Sequence, residues 1–93
     1  MPRKFVFKTT PAFRTALRKL TPRQKASARI AFGIFKHNPF DARLRTHKIH
    51  GLSAKLRRTI YSVSIESDLR AIFYLEGDVV VSLDIGDHAI YRN

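Results

Sequence analysis

Hydrophobic and polar positions follow two different periods along the chain, a helical one before residue 38 and an alternating one after residue 55. A first strand is expected over residues 4–8, ahead of the helices, because residues 5–7 are aromatic or β-branched and lie between Lys4 and Lys8. Phe13, Leu17 and Leu20 then recur at helical spacing and predict a first helix. Thr10-Pro11 is expected to open that helix, with threonine as the cap and proline in the first turn.

A second helical stripe follows almost at once. Thr21 and Gln24 form a capping-box pattern, and the helix is expected to end near His37-Asn38-Pro39. Because the connection is so short, the two helices should form an antiparallel hairpin with basic solvent faces. The positions of the second helix expected to face the core are Ala26, Ile30, Ala31, Ile34 and Phe35.

The rest of the chain divides into a loop and three strands. Residues 40–54 show no clear period and contain Gly51 and Ser53, which favours a connecting loop. From Lys55 the period is two, which predicts an antiparallel meander. The strand faces expected to contact the helices are Thr59, Tyr61, Val63 and Ile65, then Leu69, Ala71, Phe73 and Leu75, then Val79, Val81, Leu83 and Ile85.

The turn between the last two strands sets their register. Glu76-Gly77-Asp78 is predicted to be a three-residue hairpin loop, which would place Leu75 opposite Val79 and Arg70 opposite Asp84. The other face of the sheet would then be a mixed polar surface. The residues expected on it are Arg70, Ile72, Tyr74, Val80, Ser82 and Asp84.

The predicted fold is therefore α+β, in the order β-α-α-β-β-β, with an antiparallel sheet and an N-terminal helical hairpin packed on one face. Residues 1–93 are expected to form a single domain, because 93 residues with 44% hydrophobic composition suffice for one core. Cysteine is absent, so no disulfide or thiolate metal site is expected. No apolar run reaches the ~20 residues of a membrane span, and a cytoplasmic protein is expected.

Positive charge is concentrated in the first two thirds of the chain. Sixteen of the eighteen Lys and Arg residues lie within residues 1–58, where Asp41 is the only acid. Such a field opposes compaction by self-repulsion and attracts polyanions, so nucleic acid, and RNA first, is the expected partner. A basic surface that only keeps the protein soluble is the alternative.

Three short motifs, in this order, resemble those of the RelE/ParE superfamily of bacterial toxins, and of its YafQ-like branch in particular. They are the segments from Leu44 to Gly51, from Asp68 to Phe73 and from Asp84 to Tyr91. In that branch they read His-Lys-Leu-x-Gly, Asp-x-Arg-x-x-(Phe/Tyr) and Asp-Ile-Gly-x-His-x-x-(Tyr/Phe). The order of strand, helical hairpin and meander matches as well, so the resemblance covers nearly the whole chain.

The resemblance implies a RelE-like fold and the toxin of a type II toxin–antitoxin system. Such a toxin is an endoribonuclease that cleaves mRNA, usually on the ribosome, and that a cognate antitoxin holds inactive. Ser64 stands where the best-known YafQ-like sequences have a further His, so this chain has one imidazole fewer. The catalytic residues implied by the matching positions are His47, Asp68, Arg70, His88 and Tyr91.

RNA cleavage without a metal needs a base for the 2′-hydroxyl, a cation at the phosphate and an acid for the leaving oxygen. We expect His88 to be the acid, since imidazole titrates near neutrality, and Asp68 or His47 to be the base. Arg70 would hold the phosphate, and Tyr91 would stack on a nucleobase. The other cations expected to bind phosphates are Arg45, Lys48, Lys55, Arg57 and Arg58.

Each of these residues also has a structural interpretation. Arg70 would form a cross-strand ion pair with Asp84 if the predicted register holds. Asp68 stands at a strand junction, where the sequence alone favours a turn residue. Tyr91 could pack the C-terminus onto the core, and His88 could be a solvated surface residue.

Two other functions are compatible with the same fold. One is a ParE-like, non-enzymatic inhibitor of DNA gyrase, and the other is a plain RNA-binding domain. The combination of His47, Asp68 and His88 favours the nuclease. The expected partners are a cognate antitoxin, mRNA and the ribosome, while no metal, small-molecule cofactor or membrane is expected. Glycine-rich phosphate loops and a carboxylate cluster suited to magnesium are missing, so nucleotide hydrolysis is not supported.

Overall fold

The computed structural model describes residues 4–92, and of His88 and Arg92 it describes only the backbone. The described chain is an α+β fold of five strands and three α-helices. Short 3-10 turns lie at Ala42–Leu44 and His88–Arg92. The remaining elements are β1 (Val6–Thr9), α1 (Pro11–Arg18), α2 (Pro22–His37), β2 (His47–Lys48), α3 (His50–Leu56), β3 (Ile60–Glu66), β4 (Leu69–Glu76) and β5 (Val79–Gly86).

Both predicted helices of the N-terminal hairpin are confirmed, together with their caps. The Thr10 side chain accepts a hydrogen bond from the backbone N–H of Phe13 at 3.1 Å. Thr21 and Gln24 form the complete capping box, with bonds of 3.1 and 3.0 Å. These caps satisfy backbone donors that the first helical turn leaves open, which is why the starts could be located from sequence.

The five strands form one mixed sheet in the order β1-β5-β4-β3-β2. The antiparallel meander of β3, β4 and β5 is confirmed. The expectation of a wholly antiparallel sheet is wrong, because β1 lies parallel to β5, with Val6 opposite Val79. The backbone N–H of Val6 donates to the Asp78 carbonyl at 2.9 Å, so the first strand is held at the sheet edge by the last hairpin.

The predicted register of the β4–β5 hairpin is wrong by one residue at the turn. The loop has two residues rather than three, because Gly77 adopts a φ of +62° that permits a tight turn and leaves Glu76 opposite Val79. A bulge then leaves Leu83 unpaired between the two flanking pairs. Arg70 consequently lies opposite Gly86, and the expected pairing with Asp84 does not form.

The main core lies between the sheet and the helical hairpin. Phe73 lies at the centre of this core and is 1% exposed. Its ring packs against the rings of Phe35 and Tyr61, with centroids 5.0 and 5.3 Å away. The inward faces predicted for β3 and β4 are confirmed, apart from Thr59, which is exposed and lies outside β3. For β5 and α2 the prediction is partly wrong. Val80 is inward instead of Val81 and Leu83 faces the other side, both because the turn is one residue shorter, and Ala26 and Ile30 are exposed.

A second core covers part of the opposite sheet face, where a mixed polar surface was expected. Helix α3 and the C-terminal turn pack there, so residues 40–54 are not simply a connecting loop. The four buried residues of this core are Leu52, Ile60, Ile72 and Ile90. Polar and basic side chains of this face are therefore confined to the area that these two elements leave open.

Candidate functional site

Register places several of the predicted residues on one face of the sheet. His47 of β2 lies opposite Ser62 of β3, and Ser64, two residues further along the same strand, lies opposite Arg70 of β4. Alternate residues of a strand point to the same side, and directly opposed residues of neighbouring strands share that side. His47, Ser62, Ser64 and Arg70 therefore belong to the face opposite the helical hairpin.

Arg70 lies at an open cavity of about 480 Å³. Its Nη1 donates to the Ser64 hydroxyl at 2.8 Å, while its Nε is buried and has no hydrogen-bond partner. The guanidinium is thus oriented by one bond and keeps donor capacity for a ligand. The cavity is lined by Arg43, Arg45, Ser64, Ile65, Glu66, Ser67 and Arg70.

His47 is exposed on the short strand β2, and its ring is oriented by the backbone. Its Nδ1 lies 2.9 Å from the carbonyl oxygen of Arg45, a residue held in the left-handed region at φ +50°. In a neutral imidazole this contact makes Nδ1 the donor and leaves Nε2 as the acceptor. His47 can therefore accept a proton at Nε2, although it does not line the cavity that contains Arg70.

Tyr91 anchors the C-terminal turn to the sheet. Its hydroxyl lies 2.6 Å from the Ser62 hydroxyl, and its ring packs against the second core. Ser62 is fully buried, so this bond satisfies a group that could not reach water. The packing interpretation of Tyr91 is confirmed, and stacking on a nucleobase stays a prediction.

Asp68 occupies the turn between β3 and β4, which confirms the turn interpretation. It is exposed and lines a second cavity, of about 220 Å³, together with Gly86 and Asp87. Arg70 does not line this second cavity, and Asp68 does not line the first. Glu66 and Ser67 line both, so they form the wall between the two cavities.

The backbone of His88 begins the C-terminal turn, two residues after Gly86, the strand partner of Arg70. The N–H of Ala89 donates to the Asp87 carboxylate at 2.8 Å, and Ile90 is buried in the second core. The turn is therefore fixed at the end of β5. The His88 side chain lies outside the described residues, so its predicted role stays a prediction.

The predicted phosphate-binding cations fall into separate groups. Arg45 lines the cavity of Arg70, whereas Lys48, Arg57 and Arg58 line a third cavity, of about 460 Å³, beside α3. Arg58 is partly engaged there, since it lies 3.3 Å from Glu76 and stacks over the Tyr74 ring at 4.3 Å. Lys55 is exposed on α3 and lines none of these three cavities.

Asp41 forms an ion pair with Arg43, which lines the first cavity, while Asp41 itself does not line it. The Nε and Nη2 of Arg43 each donate to its carboxylate at 3.0 Å, and the backbone N–H of Arg43 donates at 2.9 Å. The side-chain bond first, and then the backbone bond, lower the pKa of Asp41 from its ordinary value of 3.8 to about 2. The Arg43 side chain is therefore held by Asp41 at the start of the 3-10 turn, and the Asp41 carboxylate compensates part of its charge.

Replacing Arg43 by Ala should raise the pKa of Asp41 from about 2 toward 3.8, because the two side-chain bonds are lost. A carboxyl whose folded pKa is lowered contributes stability above pH ~3.8, and that contribution is lost as the pH falls toward 2. Carboxyl carbon NMR titration of both proteins measures the two midpoints directly. Coincident titration curves for wild type and Arg43→Ala would contradict the ion pair.

Three residues of this region were not among the catalytic or phosphate-binding residues predicted from sequence. Glu66, Ser64 and Ser62 lie on β3, whose alternation shows which face each residue takes but not what it meets. Their importance comes from the register with β2 and β4, which involves residues distant in sequence. The nearest signal was Ser64 itself, at the position where YafQ-like sequences have a further His.

Comparison with known proteins finds the same fold in toxin structures. No protein-family model matches the sequence, and no curated protein is detectably similar to it. A structure of the DinJ–YafQ toxin–antitoxin complex from Escherichia coli superposes with a TM-score of 0.73 at 13% identity, over 94% of this chain and 96% of that chain. The archaeal RelE–RelB complex from Pyrococcus horikoshii gives 0.69 at 16% identity, over 90% and 94%. A RelBE toxin–antitoxin complex from Mycobacterium tuberculosis gives 0.65 at 21%, over 91% and 99%.

Two negative findings complete the description. Within residues 4–92 no helix has the length and apolarity needed to cross a bilayer. The same residues contain no group of three or more His, Asp or Glu side chains arranged to hold a metal ion.

Proposed function

Because the chain has the fold of the RelE/ParE superfamily toxins, with similarity to YafQ, we propose that it is the toxin of a type II toxin–antitoxin system and an endoribonuclease that cleaves mRNA. The observation that supports this most is the arginine-lined cavity on the open part of the sheet face. Its volume of about 480 Å³ suits a nucleotide, and Arg70, whose guanidinium is oriented by Ser64, belongs to its lining.

The roles proposed for the side chains follow from charge and position. Arg70 binds the scissile phosphate, and His88 protonates the leaving oxygen. Arg45 adds positive charge to the cavity of Arg70, while Lys48 and Arg57 would bind neighbouring phosphates beside α3. In this scheme the chemistry is acid–base catalysis by side chains, and translation is inhibited because mRNA is cut.

An antitoxin is the proposed protein partner. All three similar structures described above are complexes of a toxin with its antitoxin, and this chain carries a formal charge of +11. Such a field favours an acidic partner through faster encounter and complementary surfaces. The antitoxin would prevent toxicity by competing with RNA for the basic surface or by covering the cavity of Arg70.

The test is an assay of the purified protein on end-labelled mRNA, with and without ribosomes. Defined cuts that require ribosomes support the full proposal, and cuts in free RNA support a nuclease that acts without them. Inhibition of DNA supercoiling by gyrase without any RNA cuts would instead support a ParE-like inhibitor. RNA binding with neither effect would leave a binding domain and overturn the nuclease.

Replacing Arg70 by Gln should lower the cleavage rate by about 10²-fold, since a charge-assisted donor to the phosphate is removed from the cavity. The matched control is Arg29→Gln, which removes the same charge from the exposed face of α2 on the other side of the sheet. Single-turnover rates on the substrate cut by wild type measure both. Equal rates for the two variants would show that Arg70 acts only through net charge.

A further inference from the structure

Two buried polar atoms of the described residues have no hydrogen-bond partner, and both belong to residues that line the same cavity. They are Oε1 of Glu66 and Nε of Arg70. An unpaired buried polar atom costs about 1–3 kcal/mol, so native proteins keep few of them, and a missing ligand is one reason to keep them. Both residues also line one cavity, so a ligand bound there can meet an acceptor group, the Glu66 carboxylate, and a donor group, the Arg70 guanidinium.

A phosphate alone does not meet this requirement. It would accept from Arg70, but its negative charge would be repelled by the Glu66 carboxylate. A ribonucleotide does meet it, because the 2′-hydroxyl is a donor beside the 3′-phosphate, which is an acceptor. The pair Glu66 and Arg70 thus matches the two groups of RNA that take part in cleavage of the phosphodiester bond.

The two bases expected from sequence lie elsewhere. Asp68 is exposed in the β3–β4 turn and lines the second cavity, while His47 is exposed on β2 and lines neither. Glu66 is the only carboxylate among the residues that line the described cavity of Arg70. Position therefore favours Glu66 over Asp68 and His47 for a base that works on a phosphate bound by Arg70.

We propose that Glu66 is the general base of the ribonuclease, a role that rests on the proposed function. Its carboxylate removes the proton of the 2′-hydroxyl, and the oxygen lone pair forms a bond to phosphorus. The bond from phosphorus to the 5′-oxygen breaks with its electron pair on that oxygen, which takes a proton from the acid, His88. The products are a 2′,3′-cyclic phosphate and a 5′-hydroxyl, so atoms and charge balance without a further reactant.

The charges around Glu66 come from both cavities. Arg43 and Arg45 of the 3-10 turn region and Arg70 of β4 line the first, and Asp68 and Asp87 line the second. A protonated carboxyl group cannot remove the proton of the 2′-hydroxyl, so the acidic limb of the pH–rate profile is a readout specific to a carboxylate base.

The experiment compares single-turnover cleavage by wild type, Glu66→Gln and the control Asp78→Asn, which makes the same carboxylate-to-amide change in the hairpin turn at the far end of β4. Glu66→Gln is expected to cut at least 10²-fold more slowly and to lose the acidic limb, whereas Asp78→Asn keeps both. Glu66→Gln at the wild-type rate, with the limb unchanged, would overturn the proposal.

Binding to RNA that carries a 2′-deoxy sugar at the cut site is the second readout. Glu66→Gln should bind this uncleavable RNA within about threefold of wild type, and a parallel loss of binding and rate would overturn a catalytic role. If Glu66→Gln does not fold, as judged by thermal unfolding, Glu66→Ala replaces it, and an unchanged rate there overturns the proposal. If wild type cuts no RNA, the proposed function itself is wrong. If wild type cuts RNA and Glu66→Gln cuts it at the same rate, only the role of Glu66 is wrong.

Discussion

Changing His88 to Gln is expected to slow RNA cleavage by about 10²- to 10⁴-fold while RNA binding is retained, because an amide cannot donate a proton to the leaving oxygen. The backbone supports this position. The C-terminal turn follows Gly86, the strand partner of Arg70, and it is anchored by buried Ile90 and by the bond from Tyr91 to Ser62. Single-turnover cleavage measures the loss of rate, and binding to RNA with a 2′-deoxy sugar at the cut site measures whether RNA binding is retained.

The other histidines provide matched controls for this substitution. His37 ends α2 and is exposed, so His37→Gln should leave the cleavage rate unchanged. His47→Gln tests the ring that the Arg45 carbonyl orients, and His50→Gln tests the third cavity. A His88→Gln protein that cuts at the wild-type rate would show that His88 is not the acid. If only His47→Gln lowered the rate, the catalytic histidine would be His47 of β2.

Replacing Phe73 by Ala should lower the free energy of unfolding by about 3–5 kcal/mol, which is the usual cost of truncating a fully buried aromatic side chain. Its ring is 1% exposed and contacts three others, those of Phe35, Phe40 and Tyr61. These rings join the helical hairpin to the sheet, so the cavity cannot close without moving one of them. Urea unfolding followed by circular dichroism gives the difference.

The control for this stability effect is Ile30→Ala on α2. Ile30 is 71% exposed, so its truncation should change the free energy of unfolding by no more than about 0.5 kcal/mol. Because total stability of such a domain is about 5–15 kcal/mol, Phe73→Ala should consume a large share of it. A Phe73→Ala protein as stable as Ile30→Ala would contradict the assignment of the main core.

The helical hairpin could be predicted from sequence because its signals are local. Thr10, Thr21 and Gln24 make hydrogen bonds within three residues, and the stripe containing Phe13 and Phe35 needs only helical periodicity. Ile30 shows the limit of that argument. Its spacing fits the stripe, but no element covers that side of α2 within the described chain.

The sheet was harder to predict because its register depends on single residues. One residue fewer in the turn at Gly77 and one extra residue at Leu83 changed which side chains of β5 face the helices. Nothing in the sequence of β1 shows that it pairs in parallel, since the same residues can form a strand beside a parallel or an antiparallel neighbour.

The candidate site was predicted in part, through motifs rather than geometry. Residues 40–54 lacked a period because β2 has two residues and α3 begins without a side-chain cap at Ile49. The face that these elements cover could not be inferred, and neither could the cavity that they leave open. Glu66 carries no motif, and only the meeting of β3 and β4, where it lies opposite Leu69, brings it to the cavity that Arg70 also lines.

The parallel pairing of β1 with β5 has a consequence for biosynthesis. Thr10 donates its hydroxyl hydrogen to the Leu83 carbonyl across 73 residues, so the first strand to leave the ribosome has its partner in β5, the last strand of the described chain. Pairing of strands this distant in sequence is slow and cannot begin on a nascent chain that lacks β5. A chain stopped before β5 would leave β1 without its partner strand and β4 with an exposed edge, and quality-control proteases would be expected to remove it.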